Sequence, residues 1–291
     1  MPELPEVESL RRSIEARLRG SVVRSASVAR VDMLHRSPGA PATPLPAGCR
    51  LEAVRRHGKQ LVIEGSSGCL LVHLGMSGSL RIVDSAGPAT DERHVHAHWV
   101  LACADGAVRT LRHRDPRRFG WLESHADLGS VRQRCWSGLG PDALGVRAQE
   151  LAERLRGTRR PIKAALLDQS VVAGIGNIYA DESLFRARVH PCMRAHRLDA
   201  DSIDRLARAI RSVLAKAVEL GGSTIQDHRT VDGGWGSFQR LHRVYGRAGS
   251  PCHACGVALK GARVQQRATV FCPACQRLRQ GPASVQGRSS R

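Results

Sequence analysis

Four cysteines near the carboxyl end constrain this chain more tightly than any other feature. Cys252 and Cys255 form one CxxC pair and Cys272 and Cys275 another, with sixteen residues between the pairs. Each pair can grip one side of a tetrahedral ion, and the intervening segment can form a hairpin that carries both pairs together. Four thiolates leave no open position for water, so the ion expected here, one Zn2+ per chain, is structural and does no chemistry. The stretch "VQQRATVFC" lies in that hairpin and would hold Arg267 on a rigid, metal-bound frame. Cys49, Cys69, Cys103, Cys135 and Cys192 are scattered and read as structural thiols. Nine cysteines without an export signal do not read as a disulfide framework.

Ahead of the cysteine unit, the period of the apolar residues changes twice. Pro5 suits the first turn of a helix, and Val7, Leu10, Ile14 and Leu18 recur at helical spacing until Gly20. Short β-like runs follow, such as "CRLEAVRRHGKQLVIEG" and "HVHAHWVLACADGAVRTLRH", with turn signals between them. Many short strands without intervening helices predict a sandwich or barrel-like unit. "RSPGAPATPLPAG" at 36–48 reads as an exposed loop. From about residue 141 the pattern is helical, with two helices joined by the glycine-bearing "VVAGIGN". At 291 residues, more than one compact unit is expected.

Charge narrows the partners. Lys and Arg total 45 against 26 Asp and Glu, a formal charge of +19, and no acidic residue follows Asp232. Such a field favours a polyanion, and a carboxyl-terminal segment free of acids fits a phosphate-facing surface. No apolar run reaches membrane-spanning length, and Glu3, Glu6 and Glu8 stand where an export signal would need basic and apolar residues. The expectation is a soluble, cytoplasmic protein.

"MPELPEVE" begins the chain. Removal of the initiator methionine would leave Pro2 with a free secondary amine, able to attack an aldehyde-like carbon, with Glu3 beside it as acid or base. That motif gains force from its company: "HLGMSGSLR" at 73–81, "DPRRFG" at 115–120, "GIGNIYADESLF" at 174–185, "VYGRAGSPCHACG" at 244–256 and "QRATVFCPACQ" at 266–276. In content and order these resemble the bacterial formamidopyrimidine-DNA glycosylase family, from residue 2 to about 277.

The resemblance implies an α+β multidomain protein. Its expected parts are an amino-terminal helix with a β-sandwich (1–135), a helical domain with a helix–two-turns–helix motif (140–236), a zinc finger (240–277) and a disordered tail (278–291). It implies a monomer that acts on damaged double-stranded DNA, excising oxidised purines and cleaving the strand at the resulting site. Carried over by position, Pro2 is the nucleophile, Glu3 the acid/base, Lys59 the proton donor in β-elimination and Arg267 the δ-elimination arginine. His94, Arg117, Arg159 and Asn177 match DNA contacts, and Met76, Arg117 and Phe119 match the side chains that fill the hole left by a flipped base. His94, His96 and His98 would alternate onto one strand face.

Two stretches depart from the family pattern, the first with a bearing on base preference. A loop able to cap the flipped base would here be "TVDGGWGSFQ", and Pro161 in "RRPIK" stands where relatives often differ. The rival readings are an endonuclease VIII-type enzyme for oxidised pyrimidines and a non-catalytic damaged-DNA binder with a zinc ribbon. A start of "MPELPEVE" and Met76 in "HLGMSG" favour the purine enzyme over the first.

Overall fold

The computed structural model describes residues 2–84, 93–223 and 234–278. Helix α1 (Leu4–Leu18) opens it, with Pro5 in the first turn and Glu6 reaching back to accept a hydrogen bond from the Glu3 amide at 2.8 Å. Nine strands follow: β1 (Val22–Val28), β2 (Leu34–Arg36), β3 (Leu51–His57), β4 (Gln60–Gly65), β5 (Gly68–His73), β6 (Ser79–Val83), β7 (Val95–Ala102), β8 (Val108–Arg114) and β9 (Trp121–His125). They form a four-stranded sheet ordered β1-β7-β8-β6 and a five-stranded sheet ordered β2-β9-β5-β4-β3. Inward-facing Leu61, Ile63, Leu70 and Val72 of one sheet meet Leu80, Trp99, Leu101 and Leu111 of the other in a single apolar core.

Segment 36–48 departs from the exposed loop expected. Leu45 is 1% exposed within the sandwich core, and the carbonyl of Pro44 accepts the indole N–H of Trp99 at 2.8 Å. A buried indole needs an acceptor, and this loop supplies it while closing one end of the sandwich. The three histidines also differ from expectation. A bulge between Val95 and Ala97 breaks the alternation, so His96 turns inward to the Asp115 carbonyl at 2.9 Å while His94 stays exposed.

Helix α2 (Leu128–Val131) and a π-helical turn (Arg132–Trp136) cover the outer face of the five-stranded sheet. The helical part then comprises α3 (Ala148–Arg156), α4 (Ile162–Leu167), α5 (Asn177–Ala187) and α6 (Ala200–Glu219). It has its own core, built from Leu151, Leu166, Ile175, Tyr179, Leu184, Leu206, Ile210 and Leu214. Helix α1 belongs to both cores. Leu4 is buried in the helical core, and Val7, Leu10, Ile14 and Leu18 are buried in the sandwich. The first residues of the chain are therefore held from two sides.

Strands β10 (Lys260–Val264) and β11 (Arg267–Phe271) form the closing hairpin. Its turn residues Gln265 and Gln266 both have positive φ, 43° and 62°, as a two-residue turn matching the strand twist requires. The core of this unit is small: Val244, Cys252, Leu259, Val270 and Cys272. So little buried surface calls for a metal or an outside support. Among the described residues no helix is long and apolar enough to cross a membrane. Residues 230–233 of the expected base-capping loop, and 279–291 of the expected tail, lie outside the described residues, as does Met1.

Candidate active site

Pro2 is buried at the foot of α1, next to Glu3. The Glu3 carboxylate, 3% exposed, accepts hydrogen bonds from the amides of Gly176 (2.6 Å), Ile178 (2.9 Å) and Tyr179 (3.4 Å). These are orphan donors at the start of α5, where the helix dipole favours an anion. The glycine-bearing loop makes the approach possible: a Cβ on Gly176 would lie 2.3 Å from Glu3 Cδ. Burial raises the Glu3 pKa, against the opposing pull of Lys59 and the three amides.

Glu6, one turn on, is also buried. It accepts from Tyr179 Oη at 2.6 Å and the Ser223 amide at 2.7 Å as well as from Glu3 N–H. Burial first, and then the neighbouring Glu3, push its pKa up to about 7. All of its direct partners are neutral donors. The cluster around Pro2 therefore contains two carboxyl groups that retain protons more readily than carboxyl groups in water.

Lys59 reaches the same place from the five-stranded sheet. It follows Gly58 in the β3–β4 turn, and Gly58, at φ +57°, lies so close to Ala173 that an added Cβ would come within 2.9 Å of the Ala173 Cβ. Asp142 fixes the turn, accepting the Gly58 amide at 2.8 Å and Arg56 Nη2 at 3.0 Å. Burial lowers the Lys59 pKa; the charges of Glu3 and Glu6 oppose this, and Arg267 adds to it. The structure thus brings Lys59, Glu3, Glu6 and Arg267 within electrostatic reach of one another. Arg267 itself is exposed at the first position of β11.

The hairpin that presents Arg267 is locked to α4 and α5. Lys163 is fully buried; its ammonium donates to Ala268 O at 2.7 Å and Thr269 Oγ1 at 2.8 Å and forms an ion pair with Asp181 Oδ1 at 2.7 Å. Asp181 also accepts the Val270 amide at 3.0 Å, and burial pushes its pKa up to about 6 against the pull of Lys163. Glu182, next along α5, takes the amides of Arg243, Val244 and Tyr245 at 2.9–3.0 Å. Sequence reasoning missed Glu6, Tyr179, Lys163, Asp181 and Glu182 as organisers of the site. The signal was available in "GNIYADESLF", where two acids interrupt a helix that is otherwise buried.

The sulfur atoms of Cys252, Cys255, Cys272 and Cys275 all lie within 4.8 Å of one another, with Cys255–Cys272 at 3.5 Å and Cys255–Cys275 at 3.6 Å. Tetrahedral zinc with Zn–S near 2.3 Å would separate its sulfurs by about 3.8 Å, so the four donors suit a metal ion. The amide of Gln276 closes the site onto the helical part, donating from Nε2 to Val189 O at 2.9 Å.

Met76, Arg117 and Phe119 occupy two neighbouring loops. Asp115, fully buried, accepts from Ser77 Oγ at 2.6 Å and from the Gly120 amide at 2.8 Å, tying the loops together. Met76 is 43% exposed and Phe119 54%, and the Arg117 guanidinium sits 4.9 Å from the Phe119 ring centre. His94 is exposed with φ +73° just before β7, its carbonyl accepting from the Asp115 amide at 3.0 Å. Asn177 opens α5, and its Oδ1 is buried without a hydrogen-bond partner among the described residues. Arg159 is exposed between α3 and α4, and its carbonyl accepts from Arg194 at 3.0 Å. No contact joins it to the Glu3 cluster among the described residues.

Two family models match this chain: the formamidopyrimidine-DNA glycosylase N-terminal domain over residues 1–122 and the formamidopyrimidine-DNA glycosylase H2TH domain over residues 138–229. A formamidopyrimidine-DNA glycosylase of Acidovorax sp. is 44% identical over 280 residues, covering 95% of this chain and all of the relative. The crystal structure of the MutM (Fpg) protein of Thermus thermophilus superposes with a TM-score of 0.81 at 41% identity, over 96% of this chain and 100% of that one. A Lactococcus lactis Fpg variant in complex with DNA containing Fapy-dG gives a TM-score of 0.83 at 32% identity, over 95% and 100%.

Proposed function

The chain belongs to the formamidopyrimidine-DNA glycosylase family, and on that footing we propose that the pocket at the foot of α1 carries out the family's chemistry. The protein is a DNA glycosylase for oxidised purines in damaged duplex DNA, with lyase activity at the abasic site it creates. One observation carries our assignment of roles: next to Pro2, the Glu3 carboxyl is held on the α5 amides with its pKa raised, within the electrostatic influence of Lys59, whose pKa is lowered. A raised carboxyl and a lowered amine differ less in proton affinity than the same groups in water, which favours the proton transfers that acid–base catalysis requires.

With the initiator methionine removed, the Pro2 nitrogen attacks C1′ of the extruded nucleotide. Glu3 delivers a proton as the sugar ring opens and the glycosidic bond breaks. The resulting iminium makes the C2′ hydrogen acidic, and its loss expels the 3′ phosphate. Lys59 serves the proton transfers of this β-elimination. Arg267, held over the site by the Lys163–Asp181 lock, serves the second elimination, which releases the 5′ phosphate. Met76, Arg117 and Phe119 fill the vacated space in the duplex. His94, Arg159 and the amino end of α5 at Asn177 bind phosphates. The four cysteines hold one Zn2+, whose contribution is to fix the hairpin. The boundaries 1–135, 140–236 and 240–277 fit this division of labour, and we place the protein in the cytoplasm as a monomer.

Incubating the methionine-free protein with duplexes bearing 8-oxoguanine opposite cytosine or thymine glycol, with borohydride present, tests this reading. Base release and a covalent adduct on the first duplex, exceeding those on the second, are expected. Preference for thymine glycol would reassign the substrate to oxidised pyrimidines, and tight binding without an adduct would reassign the protein to damage recognition alone.

A further inference from the structure

A second cluster of metal-ligand side chains lies away from the active site, on the outer face of the five-stranded sheet. Glu123 and His125, two residues apart on β9, project from the same strand face, and Cys135 meets them from the π-helical turn Arg132–Trp136. We propose that these three side chains form a second divalent-cation site for a thiophilic ion such as Zn2+, with water in the fourth position.

The geometry carries the proposal. Cys135 Sγ lies 3.7 Å from His125 Nε2 and 3.8 Å from Glu123 Oε2, and His125 Nε2 lies 3.3 Å from Glu123 Oε1. A tetrahedral zinc with bonds near 2.3 Å to sulfur and 2.1 Å to nitrogen and oxygen spaces these donors by about 3.6, 3.6 and 3.4 Å. Cys135 meets one carboxylate oxygen and His125 the other; with one ligand atom per residue the three donors lie within 4.8 Å of one another, and the donor set is one that zinc and cobalt accept.

The far side of the imidazole is oriented as well. His125 Nδ1 lies 3.1 Å from Ser130 Oγ, which reaches Ser37 Oγ at 3.5 Å. In the tautomer with the proton on Nδ1, that nitrogen donates to Ser130, whose own hydroxyl is directed at Ser37. Nε2 then presents its lone pair toward Glu123 and Cys135. A proton or a metal ion can bridge Nε2 and the carboxylate at 3.3 Å, and a hydrogen bond from the other ring nitrogen is the usual support for a metal-bound histidine. His125 is fully buried while Glu123 and Cys135 are half-buried, so the fourth position opens to solvent. The bound ion would staple the π-helical turn to β9 just ahead of segment 137–147, which leads to the helical part of the molecule.

Zinc stoichiometry of the full-length protein tests this. Wild type titrated with Zn2+ should bind two equivalents. Cys135→Ser and Glu123→Gln should each bind one, the equivalent at the four cysteines being retained. Ser130→Ala, which touches no proposed ligand position on the metal, should keep two equivalents but weaken the second by about 10–100-fold. Co2+ loading gives an independent readout, since the second equivalent should add a cobalt–thiolate band that Cys135→Ser lacks. A single equivalent in wild type, at any excess of Zn2+, would leave a hydrogen-bonded triad and overturn the proposal. So would two equivalents of unchanged affinity in both Cys135→Ser and Glu123→Gln.

Discussion

Glu6 and Glu8 stand two residues apart on α1, both buried, yet their surroundings drive them in opposite directions. Glu6 is surrounded by neutral donors and by Glu3, and its pKa rises to about 7. For Glu8, burial alone would also raise the pKa. The guanidiniums of Arg11, Arg56 and Arg12 override that and hold it at about 2. One region keeps a proton available beside Pro2; the other is a permanently charged clamp that fastens α1 to β3 and, through Arg56, to Asp142. The contrast teaches that a buried acid's role follows from the charge of what touches it, more than from its burial.

The largest effect is expected at the pocket: Glu3→Gln removes the proton that the leaving base needs and should slow base release by about 10²–10⁴-fold. Single-turnover excision of 8-oxoguanine reads this, and an unchanged rate would remove Glu3 from the chemistry.

Next comes the clamp. Arg56→Met leaves Glu8 and Asp142 without their shared partner in a site where Arg56 is 7% exposed, and should cost about 3–5 kcal/mol in denaturant unfolding. A loss below about 1 kcal/mol would mean that the clamp is not structural.

The pH dependences should then have opposite signs. Glu6 has a folded pKa above its unfolded value of 4.5, so the native state binds more protons and stability falls by about 3 kcal/mol as pH rises from 4.5 to 7. Glu8 has a folded pKa below 4.5, so its contribution, also about 3 kcal/mol, is present above 4.5 and is lost as pH falls toward 2. Thermal unfolding across that range should show Glu6→Gln flattening only the upper window and Glu8→Gln only the lower one.

The smallest effect on stability is expected outside both regions. Phe119 is 54% exposed, so Phe119→Ala should alter unfolding by no more than about 0.5 kcal/mol while weakening binding to lesion duplex.

Much of this architecture is legible in the sequence where the cause is local. Pro5 and Glu6 mark a helix start, apolar spacing marks the buried face of α1, and the CxxC pairs mark a site for an ion. What could not be read depends on distant chain meeting distant chain. Nothing near Glu6 announces that the Ser223 amide will bond to it, and nothing in "RRPIK" tells that Lys163 will spend its charge inside the protein on Asp181. Period-two patterning misplaced His96 because a bulge inserts one residue without any glycine or proline to mark it. Segment 36–48 looked like an exposed loop by composition, but Leu45 and the Pro44 carbonyl are used by the core.

In the proposed reaction the chain's own terminal nitrogen forms the bond to DNA. The most direct measurement is peptide mapping by mass spectrometry of the borohydride-reduced complex on an 8-oxoguanine duplex. The deoxyribose remnant should appear on the proline nitrogen of a peptide beginning at Pro2, with no adduct when a residue is retained ahead of it. A remnant on Lys59, or equal trapping with that nitrogen blocked, would contradict it.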